Sequence, residues 1–391
     1  MIVEQLKIEI EQLIASGLHK ELHLRGLRKA GLIEIKGKRL VDFTNWDILG
    51  INENKKFKRA AQKSIEENGI GTASSRLSSG TTISHTSCET RLAKFFGAQS
   101  SLLFSSKNQA VFSLLTALAN ESDLICFDEQ IQSPALDVAY LVNAQSLAFN
   151  SANLSALNNE LNKFKKVRRK FILLETVSPI SGRKINLEEL LQIASRHQAF
   201  LMLDESFAIA SEGLRGAGLL DEKPIGFSEF CLYGSLSNTV PCYGAFVAGS
   251  GTITNYIIQR SKTFAHEVPL PPVIAGSIES AIDIIELAQQ ERSRLAENIK
   301  MLRENLSKHG FLDASHADSA VVSIMIGTTK QAIRIANLLI SKDFFVDVVS
   351  LSTSLTDIGL IRLLVNSSHT AKQLESISLS IAEISSKISE D

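Results

Sequence analysis

The chain has 391 residues, of which 44% are hydrophobic, so it is long enough for two or three domains that each bury a core, and disorder is excluded. Lys and Arg number 41 against 42 Asp and Glu, and a net charge of −1 excludes binding to nucleic acid or anionic membranes by charge alone. Four widely spaced cysteines without a CxxC pair and no apolar run of 18 residues predict a cytoplasmic protein without a membrane span.

The first predicted element is an amphipathic helix at the N-terminus. Its apolar residues recur at helical spacing until a glycine at position 17, and they are Ile2, Leu6, Ile10, Leu13 and Ile14. The polar face is rich in Glu, which favours a docking arm over a helix that lies on a membrane surface. We expect residues 1–50 to form this helix and an arm.

Short apolar runs that end in polar or small residues follow from about residue 100. Seven of them have the length of a strand, and they cover residues 101–106, 123–128, 146–150, 171–175, 200–206, 230–235 and 244–250. Helical patterns separate most of them. This alternation predicts an α/β domain at 51–281, with a largely parallel sheet and helices on both faces.

The pattern changes in the last third of the chain. A long helical tract is predicted from Ile274 to Leu306, and residues 282–391 are predicted to form a smaller α+β domain. Its expected elements are strands at 320–327, 344–350 and 360–367, a helix at 330–341 and a closing helix at 369–388.

The carboxyl ends of the parallel strands are the first place to look for function, because ligands of open α/β sheets bind there. Asp204 follows the apolar run FLML at such an end. A carboxylate there can pair with the protonated pyridine nitrogen of pyridoxal phosphate, although a helix cap or loop carboxylate is the alternative. The glycine-rich stretch 69–80 offers backbone N–H groups to an anion, or it is a plain loop, since it lacks the GxGxxG and Walker patterns.

Other catalytic arrangements find little support. The eight histidines show no metal-binding spacing, which favours structural roles for His85 and His369. Ser235 and Ser237 do not form the GxSxG turn of a serine hydrolase.

The order of motifs resembles the α-oxoamine synthases, fold-type I pyridoxal phosphate enzymes of the 8-amino-7-oxononanoate synthase and serine palmitoyltransferase type. The entry motif NDYLG is similar to residues 46–50, and the DE pair to Asp204 and Glu205. The long glycine signature is matched by Gly69, Gly71, Ser75, Arg76, Gly80, His85, Glu89, Leu92, Ala93, Phe96 and Gly97. Later matches are Glu175, Gly182, Gly213, Gly216, Pro271, Pro272, Arg362 and His369.

This resemblance implies a large cofactor domain, a smaller C-terminal domain, and a homodimer with active sites at the subunit interface. It implies condensation of an amino acid with an acyl-CoA and loss of carbon dioxide. It also places Arg362 and Arg76 at substrate-binding positions, although Arg362 could instead pair with structural groups.

The resemblance breaks at the lysine that carries the reaction. In the family this lysine forms an imine with the cofactor and then moves a proton, whereas the matching stretch here has Ser235, Ser237 and then Asn238. A carboxamide can do neither. Other cofactor positions depart as well, and the residues found there are Lys107, Asn108, Val111, Gln132, Pro179 and Phe207. Lys107 is expected to pair with a phosphate or, more simply, to be an exposed loop lysine.

These departures predict an α-oxoamine synthase homologue that cannot catalyse alone. It would bind pyridoxal phosphate weakly or not at all and pair with a lysine-bearing paralogue, like the lysine-less subunit of eukaryotic serine palmitoyltransferase. One alternative is an active transferase that uses Lys107, Lys262 or the amine of its amino-acid substrate. Another is a protein that binds CoA or a lipid without chemistry.

Overall fold

A computed structural model describes residues 2–16, 19, 22, 24–131, 134–221, 226–311, 319–351 and 357–389. Its α-helices are α1 Ile2–Ser16, α2 Lys55–Asn68, α3 Ile83–Phe96, α4 Lys107–Leu118, α5 Ala135–Leu141, α6 Leu154–Leu161, α7 Leu187–His197, α8 Gly251–Arg260, α9 Lys262–Ala265, α10 Pro272–Leu287, α11 Gln289–Lys308, α12 Thr329–Ser341 and α13 Ala371–Ser389. Among these helices, none combines the length and the apolarity that a membrane crossing needs.

The strands belong to three sheets. They are β1 Arg25–Lys29, β2 Leu32–Ile35, β3 Lys38–Asp42, β4 Ser100–Phe104, β5 Leu124–Asp128, β6 Gln145–Phe149, β7 Lys170–Glu175, β8 Ala199–Asp204, β9 Phe230–Ser235, β10 Ala245–Gly249, β11 Val321–Gly327, β12 Phe344–Phe345, β13 Asp347–Ser350 and β14 Gly359–Leu364. The seven runs predicted between residues 101 and 250 are β4 to β10, so that part of the prediction is confirmed.

Contacts between Cα atoms divide the chain into two compact units. The sheet unit comprises residues 46–179 and 183–294, and the terminal unit comprises residues 1–45, 180–182 and 295–391. The division into an arm (1–50), a large domain (51–281) and a small domain (282–391) stays a prediction.

The sheet unit is built on seven strands in the order β4-β10-β9-β8-β7-β5-β6. Strands β5 to β9 pair in parallel, whereas β10 runs antiparallel to both of its neighbours, β4 and β9. Consecutive residues along the central strands β7 and β8 are buried, so both faces of the sheet are covered. The result is the α/β fold of fold-type I pyridoxal phosphate transferases, as the sequence predicted.

The terminal unit holds two smaller sheets, with the orders β1-β2-β3-β12 and β11-β14-β13. The three strands β1 to β3 have no counterpart in the sequence prediction. The single strand predicted at 344–350 is wrong, because this segment divides into two strands. Phe344 pairs in parallel with β3, whereas Asp347–Ser350 pairs antiparallel with β14, and the chain changes sheets at the buried Val346.

The helical tract predicted from Ile274 to Leu306 is present but interrupted once, because α10 ends at Leu287 and α11 begins at Gln289. Ala288 between them has a ψ angle of 39°, outside the helical range. At the break, the guanidinium of Arg292 donates to the carbonyl of Ile285, and it also donates to the carbonyl of Leu214 at 2.6 Å. This side chain satisfies the carbonyl of Ile285 near the end of α10, so the helix can stop without Gly or Pro.

Candidate functional site

Two carboxyl groups lie side by side at the carboxyl end of the central strands. Glu175 is the last residue of β7, Asp204 is the last residue of β8, and the two are paired across the parallel ladder. Asp204 is fully buried and Glu175 is 9% exposed. Two neighbouring acids in a low dielectric cannot both be ionised without a compensating cation.

Lys107 supplies this cation. Its ammonium lies 2.9 Å from Oδ2 of Asp204 and 3.5 Å from Oε1 of Glu175, and its side chain is only 14% exposed. Lys107 is the first residue of α4, which begins after the cap Ser106, whose hydroxyl accepts a hydrogen bond from the N–H of Gln109. The interpretation of Lys107 as an exposed loop lysine is therefore wrong, because two buried acids hold it at a helix start.

The protonation of this cluster follows from its burial. Burial lowers the pKa of Lys107, but the charges of Asp204 and Glu175 outweigh this effect and the net pKa is raised. Burial, assisted by the charge of Asp204, raises the pKa of Glu175 to about 8 despite the nearby lysine. Near neutral pH the lysine is therefore an ammonium and Glu175 holds a proton. The amine has no lone pair free for nucleophilic attack.

Hydroxyl groups hold the other oxygen of Asp204. Its Oδ1 accepts the N–H of Ser206 at 2.9 Å and also the hydroxyl of Ser206. That hydroxyl in turn accepts the N–H of Ser235 at 2.7 Å, and the hydroxyl of Ser235 lies 2.6 Å from that of Ser237. The structure thus connects the predicted residues Asp204, Ser235 and Ser237 through Ser206. The sequence analysis missed Ser206, although an Asp followed two residues later by Ser is typical of a turn closed by side chains.

Phe207 lies beside the ammonium of Lys107, at the position where the resembled motif has a histidine. Its ring centre is 5.6 Å from Nζ of Lys107 and 4.7 Å from the ring of Trp46, at an interplanar angle of 49°. A cation near an aromatic ring gains electrostatic attraction. Phe207 therefore adds to the environment that keeps Lys107 charged.

Two further buried groups lie next to this cluster, and the sequence analysis assigned neither of them a role at the site. Glu205 is fully buried, and burial raises its pKa to about 8, although it accepts the N–H of Leu219 at 3.0 Å. The hydroxyl of Tyr233, on β9 beside Asp204, has no hydrogen-bond partner among the described residues. Burial first, and then the charges of Asp204 and Glu175, raise the pKa of Tyr233 well above its usual range. Only the register of the strands reveals this proximity.

Gly218 explains how the Glu205 carboxyl is enclosed. This glycine has a φ of +101°, and a Cβ atom there would lie 2.2 Å from Oε2 of Glu205. The position therefore requires a residue without a side chain, because the backbone passes directly over the carboxyl group.

The remaining predicted site residues lie in different surroundings. Asn238 is half-buried in the bend after β9, Asn108 is exposed in the first turn of α4, and Pro179 is buried after β7. Gln132 lies outside the described residues. None of these positions supplies an amine.

The two arginines predicted to bind substrate are both in ion pairs. Nη2 of Arg76 lies 2.7 and 3.0 Å from the two oxygens of Glu89, and both side chains are about nine-tenths buried. Arg362, on β14 in the terminal unit, donates to Asp347. Substrate binding by either arginine stays a prediction.

The structural roles favoured for two histidines are confirmed. The ring of His85 contacts the hydroxyl of Thr82 at 2.8 Å and the carbonyl of Leu270 at 2.6 Å. In the terminal unit, His369 contacts the carbonyl of Asp42 at 3.1 Å, and burial lowers its pKa to about 4. Both rings are neutral and hydrogen-bonded near pH 7.

Pyridoxal phosphate does not fit these residues in the arrangement that the sequence resemblance implies. Its protonated ring nitrogen would have to meet the carboxylate of Asp204, where the ammonium of Lys107 already lies 2.9 Å from Oδ2. Two cations beside one buried carboxylate repel each other. Instead, Lys107 neutralises the carboxylate of Asp204 within the protein, and serine hydroxyl groups complete the hydrogen bonds around it.

Comparisons with protein families and with known proteins identify relatives of this chain. The family model "Aminotransferase class I and II" matches residues 42–380. A putative 8-amino-7-oxononanoate synthase from Aquifex aeolicus is 30% identical over 336 residues, which cover 85% of this chain and 89% of that protein. The 8-amino-7-oxononanoate synthase 2 of Bacillus subtilis is 25% identical over 372 residues, with 95% and 94% covered.

Solved structures match the fold over nearly the whole chain. A serine palmitoyltransferase variant from S. paucimobilis with a bound pyridoxal phosphate–myriocin aldimine superposes with a TM-score of 0.91 at 21% identity, covering 99% of this chain and 98% of that one. The 8-amino-7-oxononanoate synthase from Francisella tularensis gives a TM-score of 0.78 at 23% identity, with 90% and 98% covered.

Proposed function

Because this chain belongs to the aminotransferase class I and II family and, within it, to the α-oxoamine synthases, we propose that it is an 8-amino-7-oxononanoate synthase-like protein that cannot catalyse alone. The reaction of such enzymes condenses an amino acid with an acyl-CoA. In this chain the site serves to stabilise the fold, and the protein acts as a partner or regulatory subunit.

The ion pair between Lys107 and Asp204 is the observation that carries this proposal. It neutralises the buried carboxylate within the protein, at 2.9 Å, and so removes the need for a cofactor cation there. Asn238 at the lysine position points in the same direction, because a carboxamide forms no imine.

The alternative of an active transferase that uses another amine has less support. Lys107 is held as an ammonium by two carboxyl groups, and its raised pKa disfavours the free amine. Lys262, the other candidate, is exposed at the start of α9. The raised pKa of Lys107 is the opposite of the depressed pKa that a nucleophilic amine requires.

Titration of the purified protein with pyridoxal phosphate tests the proposal. We expect no imine absorbance and no label fixed by borohydride, whereas the 8-amino-7-oxononanoate synthase 2 of Bacillus subtilis, treated in parallel as the positive control, should give both. A stoichiometric label on one lysine of this chain, located by peptide mapping, would overturn the proposal.

The partner role is tested separately. Within this proposal the chain is a cytoplasmic protein that forms a homodimer or a heterodimer with a lysine-bearing paralogue, and only the mixed assembly releases free CoA from an acyl-CoA and an amino acid. Turnover by this chain alone would contradict the proposal. Failure to associate with any such paralogue when both are co-expressed would remove the partner role but leave the catalytic part intact.

A further inference from the structure

A cleft lies at the opposite end of the central strands from Asp204. Lys170, the first residue of β7, lines it, whereas Glu175 ends the same strand. Five residues along a strand correspond to about 17 Å, so the cleft is separate from the candidate functional site. Its volume is about 270 Å³. We call it the basic cleft, defined by its lining residues Leu118, Arg168, Arg169, Lys170, Phe171, Gln198, Phe200, Thr252, Ile253 and Tyr256.

Three consecutive cations form one side of the basic cleft. Arg168 is neutralised by Asp123, whose oxygens accept two of its hydrogen bonds at 2.9 and 2.6 Å. Arg169 donates to the carbonyl of Leu118 at 3.1 Å, and Lys170 donates to the carbonyl of His197 at 3.2 Å. These carbonyls orient the two side chains without cancelling their charge. The described lining residues include three cations and no carboxylate.

A histidine beside the basic cleft responds to its positive charge. His197 directly precedes the lining residue Gln198 in the sequence. Burial lowers the pKa of His197, and the positive charges of Lys170 and Arg196 lower it further. A histidine that resists protonation for this reason indicates a positive local potential.

The other side of the basic cleft is apolar and aromatic. Phe171 is 3% exposed and Leu118 is 6% exposed, and Phe200 crosses Phe171 in an edge-to-face arrangement with ring centres 6.4 Å apart. Tyr256 is 37% exposed, and the guanidinium of Arg260 lies 5.9 Å from its ring centre. A concave surface with aromatic side chains and a few convergent charges is typical of small-molecule sites.

We propose that the basic cleft binds a small organic anion with a planar ring, of the size of a nucleoside monophosphate. The ring lies against Phe200 and Tyr256, and the anionic group meets Arg169 and Lys170. Arginine suits this task because its planar donors bind a phosphate or carboxylate through two hydrogen bonds. Such a ligand would act at a distance from the Asp204 cluster, and the inference does not depend on the proposed function.

Calorimetric titration of the full-length protein with adenosine monophosphate tests this inference. Octanoate and inorganic phosphate serve as comparison ligands, because the first has an apolar body without a ring and the second has charge alone. We expect the nucleotide to bind at least about tenfold more tightly than either one, because stacking and charge pairing both contribute to its affinity. Equal affinity for phosphate, tighter binding of octanoate, or no nucleotide binding at millimolar concentration would each overturn the inference.

Two variants of the lining and one matched control locate the site. Arg169→Gln and Tyr256→Ala should each weaken nucleotide binding about tenfold, since they remove a charged contact and a ring contact. Lys166→Gln removes the same charge from an exposed residue that does not line the cleft, and it should change the affinity by less than about twofold at 0.15 M salt. An equal loss in Lys166→Gln and Arg169→Gln would mean a general positive surface and would overturn the inference.

Discussion

The ammonium of Lys107 lies 2.9 Å from Oδ2 of Asp204, although the two residues are 97 positions apart in the sequence. The contact joins the first turn of α4 to the end of β8, in the place where the sequence resemblance expects a cofactor ring. A change in either residue therefore affects both the stability of the fold and the ability of Asp204 to pair with a cofactor.

Lys107→Met should lower the free energy of unfolding by about 3 kcal/mol, because it leaves the ionised carboxylate of Asp204 buried without a cation. Urea unfolding at neutral pH measures the loss. Lys166→Met, at an exposed position, is the matched control and should change stability by less than about 0.5 kcal/mol. Equal stability of the two variants would show that the ion pair is energetically neutral.

Asn238→Lys alone should not create a stable imine with pyridoxal phosphate, because Lys107 still holds Asp204. The double variant Lys107→Ala/Asn238→Lys supplies the amine and frees the carboxylate, and it should show imine absorbance and a label fixed by borohydride. The single variant Lys107→Ala is the control for the amine. Labelling of Asn238→Lys as strong as that of the double variant would refute the blocking role of Lys107.

Glu205→Gln should change how stability depends on pH. The folded pKa of Glu205 is about 8, against an ordinary value of 4.5, so the folded state retains a proton that the unfolded chain releases. The stability from this group is full below pH 4.5, falls as the pH rises, and is lost above pH 8. The variant should therefore match the natural protein near pH 4.5 and exceed it, by on the order of 5 kcal/mol, near pH 9. Urea unfolding across this range measures the difference, and parallel profiles would contradict the prediction.

Arg76→Met should destabilise the sheet unit by about 3 kcal/mol, because Glu89 would remain buried without its cation. Thermal unfolding followed by circular dichroism measures the effect. Arg59→Met, on the exposed side of α2, serves as the control. Unchanged stability would leave substrate binding as the better explanation for Arg76.

The strands of the sheet unit could be predicted because each one is a short apolar run closed by polar residues. The strands β1 to β3 could not, because their buried residues are few, such as Ile33 and Leu40, and each of these two lies next to a charged residue. The break at Ala288 also escaped prediction, since neither Gly nor Pro marks it and the compensating donor, Arg292, comes later in the chain.

At the site, the resemblance identified the positions where this sequence departs from the family. The structure shows which groups the residues at those positions contact. Asn238 and Lys107 could both be singled out from the sequence. The pairing of Lys107 with Asp204 could not, because it depends on how α4 starts relative to the end of β8. Glu205 and Tyr233 had no role assigned from the sequence, because Glu205 entered only as part of the DE match and the proximity of both groups to the cluster depends on burial and strand register.

The position of β10 between β4 and β9 has a consequence during synthesis. Among the described strands, β4 pairs with β10 alone, and β10 follows it by roughly 140 residues, so ribosomes need on the order of 10 s to supply the missing strand. Until then, the nascent polypeptide carries an unpaired apolar strand. Slower translation or the absence of chaperones should therefore reduce the yield of correctly folded protein, even though the finished sheet is complete.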